Sequence, residues 1–119
     1  MSEQILIPTD LKLHRQSRTL EIIYSDQESY TLSFEYLRVH SPSAEVRGHG
    51  TGSEVLQTGK KSVILTAIEP VGNYALKLHY SDKHDSGLYT WPYLNDLCIK
   101  QHSLWQDYLD RLDAAGASR

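Results

Sequence analysis

One segment occurs twice in the chain, and this repeat constrains the fold more than any other feature. Residues 20–26 read Leu-Glu-Ile-Ile-Tyr-Ser-Asp, and residues 76–82 read Leu-Lys-Leu-His-Tyr-Ser-Asp. Apolar residues alternate in both copies, a period typical of strands with one buried face. The aspartate suits a turn, and a Tyr-Leu pair follows each copy, at Tyr36 and at Tyr93. We therefore predict strand, turn, strand and short helix in each copy. Duplication and convergence on a common hairpin explain the repeat equally well.

The segment between the copies predicts a loop and a further hairpin. Residues 41–59 contain Pro42 and several glycines, a composition typical of a long irregular loop. Such loops are often functional. Residues 62–68 are apolar on both faces and rich in β-branched side chains, which predicts a central strand. Pro70 and Gly72 then predict a turn that closes a hairpin onto residues 74–80.

The last third of the chain predicts helices. Pro92 suits the first position of a helix, and apolar residues continue at helical spacing as far as Leu112. Polar residues 100–103 predict a kink or a break into two helices, and residues 113–119 predict a flexible tail. The predicted fold class is α+β, a small antiparallel or mixed β-sheet of hairpins with a short helix and a C-terminal helical segment.

Length and composition narrow the possible classes of protein. A chain of 119 residues fits one domain, with a core over about residues 8–112. A net charge of −3 without a basic stripe argues against nucleic acid as a partner. The N-terminus lacks a basic region, and no stretch approaches the roughly 20 apolar residues of a membrane span. We therefore expect a cytoplasmic protein with no membrane partner.

Motifs for catalysis are incomplete. A phosphate-binding loop around residues 48–60 would need a glycine and a hydroxyl residue where Glu54 and Lys61 stand. The single cysteine, Cys98, excludes an internal disulfide and a four-cysteine zinc or iron–sulfur site. Cys98 and His102 could share a helix face as nucleophile and base, but the neighbouring leucines favour a buried, inert thiol. We therefore predict no catalytic residue and no enzyme activity.

Histidines offer a possible metal site. His40 and His49 flank the long loop, and His84 lies in the second turn beside Asp82 and Asp85. These nitrogen and oxygen donors could converge on a transition metal, and solvated turn histidines are the alternative.

Three long stretches resemble one family. Residues 36–50 run from Tyr-Leu-Arg-Val-His to Gly-His-Gly, residues 68–76 begin Ile-Glu-Pro-Val-Gly, and residues 82–91 begin Asp-Lys-His-Asp. Together they resemble the gamma-butyrobetaine hydroxylase-like N-terminal domain family, in its stand-alone bacterial form, over roughly residues 8–112. In the carnitine-pathway hydroxylases this domain precedes an oxygenase barrel that carries iron and 2-oxoglutarate. The resemblance therefore implies an accessory domain without the catalytic barrel.

The resemblance also implies that a structural zinc has been lost. The hydroxylase domain binds zinc through a Cys-Pro-Cys-x-x-Cys pattern and a histidine, and the matching positions here are Ser41, Ser43, Val46 and His84. Hydroxyl and valine side chains cannot replace thiolates at zinc. We therefore expect no metal and no cofactor, with hydrogen bonds and packing holding the loop instead.

Three hypotheses of function follow. The first is a non-catalytic binding or adaptor domain for another protein, with a similarity to part of some iron–sulfur ParA-like ATPases suggesting a link to iron metabolism. The second is a metal-binding protein using His40, His49 and His84, and the third is a small stand-alone enzyme. The expected binding surface consists of Arg38, His40, Ser41, Ser43, Glu45, Arg47, His49, His84 and Trp91. Arg38, Glu45 and Arg47 could pair with one another or with a partner's charges.

Overall fold

The computed structural model describes residues 6–25, 28–43, 55–85 and 87–119. Within these ranges six strands and three helices follow one another in two similar groups. The elements of the first repeat are β1 (Asp10–His14), β2 (Thr19–Ile23), β3 (Ser29–Ser33) and α1 (Phe34–Val39). Those of the second repeat are β4 (Leu65–Val71), β5 (Ala75–Tyr80), β6 (Leu88–Thr90) and α2 (Trp91–Ile99), and α3 (Gln101–Ala115) follows.

Each repeat forms a three-stranded antiparallel sheet with its middle strand in the centre. The strand orders are β1-β2-β3 and β4-β5-β6. In the first sheet Leu20 pairs with Leu13 on one side and with Leu32 on the other. In the second sheet Leu76 pairs with Pro70 and with Tyr89. The predicted α+β class and the predicted order of strand, turn, strand and short helix are confirmed.

The alternating residues of the repeated segment form the core. Leu20, Ile22 and Tyr24 are buried in the first sheet, and the matching residues of the second sheet are buried too. Those matching residues are Leu76, Leu78 and Tyr80. Because side chains alternate across a strand, each central strand directs one face into a shared core. This core also contains Phe34, Tyr36, Tyr89 and Leu94.

The prediction of a central strand over residues 62–68 was wrong. Strand β4 begins at Leu65 and continues through Pro70 to Val71, and it lies at the edge of its sheet. The burial of neighbouring residues shows that this segment does not have two buried faces, since Leu65 is buried whereas Ile64, just before the strand, is 38% exposed. Proline lacks a backbone donor and is therefore confined to edge strands. The turn lies two residues later than predicted, with the N–H of Tyr74 donating to the carbonyl of Val71, and Gly72 within it has a φ of 53°.

The two short helices bind each other through reciprocal hydrogen bonds. The Tyr36 hydroxyl of α1 donates to the carbonyl of Leu97 in α2 at 2.7 Å. Tyr93, which matches Tyr36 in the second repeat, donates to the carbonyl of His40, which matches Leu97. Ser33 and Thr90 cap the two helices by accepting from the backbone N–H of Tyr36 and Tyr93. The repeats therefore face each other with approximate two-fold symmetry.

The C-terminal helices are separated at Lys100, as the polar residues predicted. Helix α2 ends at Ile99 and α3 begins at Gln101. Helix α3 continues to Ala115, and Gly116 closes it in a left-handed conformation with a φ of 66°. Arg119 lies against Glu35, so residues that were predicted as tail make contacts in this structure. No helix among the described residues is both long and apolar enough to cross a membrane.

Candidate functional site

Three side chains at positions that the resemblance matches to zinc ligands meet in one buried cluster. His84 follows the β5–β6 turn, whereas Ser41 and Ser43 follow α1. His84 Nε2 lies 2.8 Å from Ser41 Oγ and 3.3 Å from Ser43 Oγ. The exposed fractions are only 1% for Ser41, 5% for Ser43 and 6% for His84. The cluster therefore joins the first repeat to the second by buried hydrogen bonds.

A glycine closes the cluster from the second repeat. Gly87 is buried, and a Cβ at this position would overlap the Ser41 hydroxyl and press against Pro42. Nearby, the Tyr89 hydroxyl donates to the carbonyl of Leu37 at 2.6 Å and contacts the Tyr80 hydroxyl at 2.8 Å. Burial raises the pKa of Tyr89 and of Tyr80. These phenols stay neutral and act as structural hydrogen-bonding groups.

A second set of contacts surrounds Asp82 in the same turn. Arg38 Nε and Lys60 Nζ each donate to Asp82 Oδ2 at 2.9 Å. The other carboxylate oxygen, Oδ1, accepts from the backbone N–H of His84 at 3.3 Å. Partial burial acts to raise the pKa of Asp82, but the hydrogen bonds and charges of Lys60 and Arg38 outweigh it and lower that pKa. Asp82 is therefore a stable anion between two cations.

The two clusters hold both ends of one chain segment. Residues 41–43 are bound to His84, and on the other side Arg38 Nη1 donates to Gln57 Oε1 at 3.1 Å while Lys60 binds Asp82. We call residues 41–43 and 55–60 the loop stems. Both stems are therefore fixed to the turn of residues 81–84. The predicted site residues Glu45, Arg47 and His49 lie between the stems, outside the described residues, as does Val46.

Burial corrects part of the predicted binding surface. Arg38, Ser41, Ser43 and His84 are all at most 6% exposed, so they hold the loop stems and do not form an exposed face. Arg38 pairs with Asp82, a partner that was not among those predicted for it.

His40 and Trp91 lie away from the cluster. His40 Nδ1 is 3.0 Å from the carbonyl of Tyr36, and its ring packs 4.7 Å from the Tyr36 ring. Burial lowers the pKa of His40. Trp91 Nε1 donates to the carbonyl of Asn73 at 2.8 Å. The nine predicted positions therefore fall into three groups. Four are buried near the loop stems, His40 and Trp91 lie apart from them, and the other three lie outside the described residues.

The donors of the buried cluster do not fit a zinc ion. Two neutral hydroxyls and one imidazole replace the thiolates and histidine of a structural zinc site. Across the described parts of the chain, no three His, Cys, Asp or Glu side chains are grouped so as to hold a metal. His40 contacts Tyr36 and His84 contacts the serines, so the described pair of the three proposed metal ligands does not converge.

Nucleophilic chemistry also finds little support. Ser41 and His84 form a serine–histidine pair, but at 1% exposure Ser41 leaves no access for a substrate. Cys98 and His102 line an open groove of about 560 Å³ between β3 and the C-terminal helices. Burial raises the pKa of the Cys98 thiol to about 11, so it stays protonated at neutral pH. The prediction that this thiol is buried is confirmed by its place in the core.

Sequence reasoning missed the residues that hold the second loop stem. Asp82 was expected to begin a turn or to serve as an oxygen donor to a metal, and neither role predicts its pairs with Arg38 and Lys60. An aspartate also stands at the matching position of the first repeat, Asp26, so the residue type alone does not predict that Asp82 binds the stem. Gln57 and Gly87 carried no signal that a single sequence could show.

Comparisons with known proteins agree on one family. The pattern of the gamma-butyrobetaine hydroxylase-like N-terminal family matches residues 11–95. Two solution structures determined by NMR are similar over nearly the whole chain. The first is 52% identical with a TM-score of 0.85, covering 98% of this chain and 91% of the other. The second is 55% identical with a TM-score of 0.81, covering 100% of this chain and 90% of the other.

A crystal structure extends the comparison to a named organism. It shows a protein of unknown function of the DUF971 family from Acidithiobacillus ferrooxidans. That protein is 37% identical with a TM-score of 0.64, over 76% of this chain and 90% of the other. No functionally curated protein matches the chain.

Proposed function

The chain belongs to the gamma-butyrobetaine hydroxylase-like N-terminal family, and on that premise we propose that it is a non-catalytic module that binds another protein. The binding element of this proposal is the segment of residues 44–54 between the loop stems. The observation that carries the proposal is the attachment of both stems to the turn of residues 81–84. A buried cluster of described side chains that fixes both ends of one segment suits recognition better than catalysis.

Fixed stems favour binding for an entropic reason. Residues that must become ordered on binding lose conformational freedom, and this loss weakens the affinity. The stems are already held by hydrogen bonds, so binding at this position does not have to order them. Binding residues are commonly found on loops that a rigid scaffold positions. Glu45, Arg47 and His49 give this segment charges of both signs, so its partner would present a polar, charged surface.

The proposed link to iron metabolism would depend on the partner. A cluster shared between two proteins would need a thiolate from this chain, and Cys98 is its single cysteine. That thiol is 4% exposed and its pKa is raised to about 11. Cys98 is therefore a poor ligand, and any metal chemistry would belong to the bound protein.

Quantitative affinity capture tests the proposal. The whole chain is immobilised, exposed to native lysate, and compared with a variant that carries Glu45→Ala, Arg47→Ala and His49→Ala. We expect the unmodified chain to recover a partner protein and the variant to recover at least about tenfold less of it. A tenfold loss of affinity corresponds to only about 1.4 kcal/mol of binding free energy.

The matched control carries His102→Ala, Asp107→Ala and Arg111→Ala on α3. These residues have the same types of side chain and are exposed, so the control should recover the partner at the unmodified level. Equal recovery of every captured protein by the loop variant and the unmodified chain would refute the proposal. Recovery of none would refute it as well.

A further inference from the structure

The two repeats each contain a pocket at the same place, between the turn before the central strand and the start of the short helix. In the first repeat the pocket is formed by Ser17, Arg18, Ser33, Phe34 and Glu35, with additions from elsewhere in the chain. In the second repeat it is formed by Asn73, Tyr74, Thr90, Trp91 and Pro92, together with Ile7.

Backbone contacts show that these pockets are equivalent. The N–H of Phe34 donates to the carbonyl of Arg18 at 3.0 Å, and the N–H of Trp91 donates to the carbonyl of Tyr74 at 3.2 Å. The turns and helices of the two repeats therefore have the same arrangement. The side chains at matching positions differ, and in particular Arg18 corresponds to Tyr74 and Glu35 to Pro92.

In the first repeat, the segment after α3 contributes to the pocket. After α3 ends, residues 117–119 lead back to this pocket, and the Ser118 carbonyl accepts from the N–H of Gly59. The Arg119 guanidinium then forms three hydrogen bonds with the Glu35 carboxylate, at 2.7, 3.1 and 3.3 Å. About 250 Å³ of the pocket remains open. A non-helical segment thus brings one side chain, that of Arg119, to the Glu35 carboxylate of this pocket.

The pocket of the second repeat is larger and carries no charge. Its volume is about 490 Å³, and its lining contains no Asp, Glu, Lys, Arg or His. Tyr74 is 50% exposed and Ile7 is 52% exposed, so this pocket presents large apolar side chains at the surface. The pocket is also preformed. Gly72 lies under the Tyr74 ring, and Trp91 is held by Asn73.

We propose that the second-repeat pocket binds a neutral, apolar side chain presented by an extended segment of a partner protein. The first repeat shows what kind of element this position receives, a short non-helical segment that inserts one side chain. The lining of the second pocket then selects the chemistry of that side chain. A second copy of this chain does not fit in the same way, because Arg119 would find Pro92 where Glu35 receives it in the first repeat. The proposal is independent of the loop between the stems.

Selection from a peptide library tests this inference. A phage-displayed library of random 12-residue peptides is selected on the immobilised whole chain, and the enriched peptides are labelled and titrated by fluorescence polarisation. We expect enrichment of peptides with a leucine, phenylalanine, tryptophan or proline anchor. Tyr74→Arg should weaken their binding at least about tenfold, since it removes apolar contact and adds a charge. Pro92→Glu introduces the side chain that the first repeat has at the matching position, Glu35, and it should also weaken peptide binding.

Ile99→Arg is the matched control. Ile99 is 62% exposed and lines the groove beside Cys98, so this change introduces the same charge outside the proposed pocket. The Ile99→Arg variant should bind the enriched peptides with the affinity of the unmodified chain. The variant with Glu45→Ala, Arg47→Ala and His49→Ala should also bind them with that affinity. The inference is overturned if no peptide is enriched, if the enriched anchors are charged, or if Tyr74→Arg and Pro92→Glu bind as well as the control. Concentration-dependent dimerisation that Tyr74→Arg abolishes would assign the pocket to a second copy and overturn it too.

Discussion

His84 stabilises the fold through one ring nitrogen that two serine hydroxyls share. Nε2 contacts Ser41 Oγ and Ser43 Oγ, and all three residues are almost completely buried. Buried polar groups contribute little net stability when paired but are costly when a partner is removed. The cluster therefore makes the position of residues 41–43 depend on a residue of the other repeat.

Replacing His84 with alanine should destabilise the protein substantially. The change leaves two buried hydroxyls without this partner and opens a small cavity, so we expect a loss of about 2–3 kcal/mol in the free energy of unfolding. Urea denaturation followed by circular dichroism measures it. His102→Ala, at an exposed position of α3, serves as control and should stay within about 0.5 kcal/mol. Equal stability of the two variants would show that the cluster contributes nothing.

His40 should make stability depend on pH. Burial lowers its pKa, with a smaller contribution from Arg111 in the same direction and opposing ones from the Tyr36 carbonyl and Asp107. The folded state therefore takes up a proton less readily than the unfolded chain, whose histidine has a pKa of about 6.5. The stability from neutral His40 is present above that pH and is lost as the pH falls toward the lower folded pKa.

The measurement compares urea unfolding at several pH values between about 7.5 and 5. As the pH is lowered, the free energy of unfolding should decrease more steeply for the unmodified chain than for the His40→Gln variant, whose glutamine does not titrate. Parallel pH profiles for the two proteins would contradict the assignment to His40.

At the scale of elements, the contact between α1 and α2 is a two-fold arrangement of tyrosines. Each short helix supplies one hydroxyl, from Tyr36 or Tyr93, to a carbonyl near the end of the other. These carbonyls would otherwise lack a partner where a short helix ends, because the last carbonyls have no intrahelical donor. The exchange therefore caps both helices and joins the repeats at once.

Tyr36→Phe and Tyr93→Phe should each cost about 1 kcal/mol of unfolding free energy, the usual net value of one hydrogen bond. Both changes keep the ring and its packing. Tyr74→Phe is the control, since this ring is half exposed, and it should have almost no effect. Thermal and urea denaturation measure the difference. A loss confined to one of the two tyrosines would argue against an equivalent role in the two repeats.

At the scale of the whole molecule, contacts between distant residues close the fold. Glu35 in α1 binds Arg119 beyond the last helix, and the Arg119 guanidinium also lies 5.3 Å from the centre of the Trp105 ring. The contact joins the first repeat to the segment that follows α3. Because Glu35 is only 6% exposed, its carboxylate depends on this pairing.

Arg119→Met should therefore lower the free energy of unfolding by about 1–2 kcal/mol, a value reduced from that of a fully buried pair because the arginine is partly exposed. Arg111→Met is a matched change on α3, where the arginine pairs loosely with Asp107 at 3.9 Å. This control should change stability by no more than about 0.5 kcal/mol. Equal effects of the two substitutions in urea denaturation would contradict the proposed role of Glu35–Arg119.

The sequence predicted what depends on local pattern. Alternation in residues 20–24 and 76–80 identified both central strands, because burial of one face imposes a period of two. The repeat also predicted the short helix α1. The polar residues 100–103 predicted the break between α2 and α3 at Lys100. Strand β1 was missed although Leu11 and Leu13 alternate in it, and β4 was misplaced because an apolar run does not distinguish an edge strand from a central one.

The site could be predicted only in part. The family resemblance brought Ser41, Ser43 and His84 together, and the structure shows their contact. The pairs Arg38–Asp82 and Glu35–Arg119 could not be predicted, since each joins residues far apart in the chain and charge alone does not select one partner. The equivalence of the two pockets required the three-dimensional symmetry of the repeats.

Metal analysis of the purified chain tests the central claim most directly, namely that hydrogen bonds hold the loop stems at positions where the family resemblance implies a zinc site that this chain has lost. The protein is prepared without a histidine tag and measured by elemental mass spectrometry together with circular dichroism. A Ser41→Cys, Ser43→Cys and Val46→Cys variant, with His84 retained, is the positive control and should bind one zinc ion per chain. We predict that the unmodified chain is folded and contains far less than one metal ion per chain. One bound metal ion per chain, lost together with the fold in His84→Ala, would contradict the account.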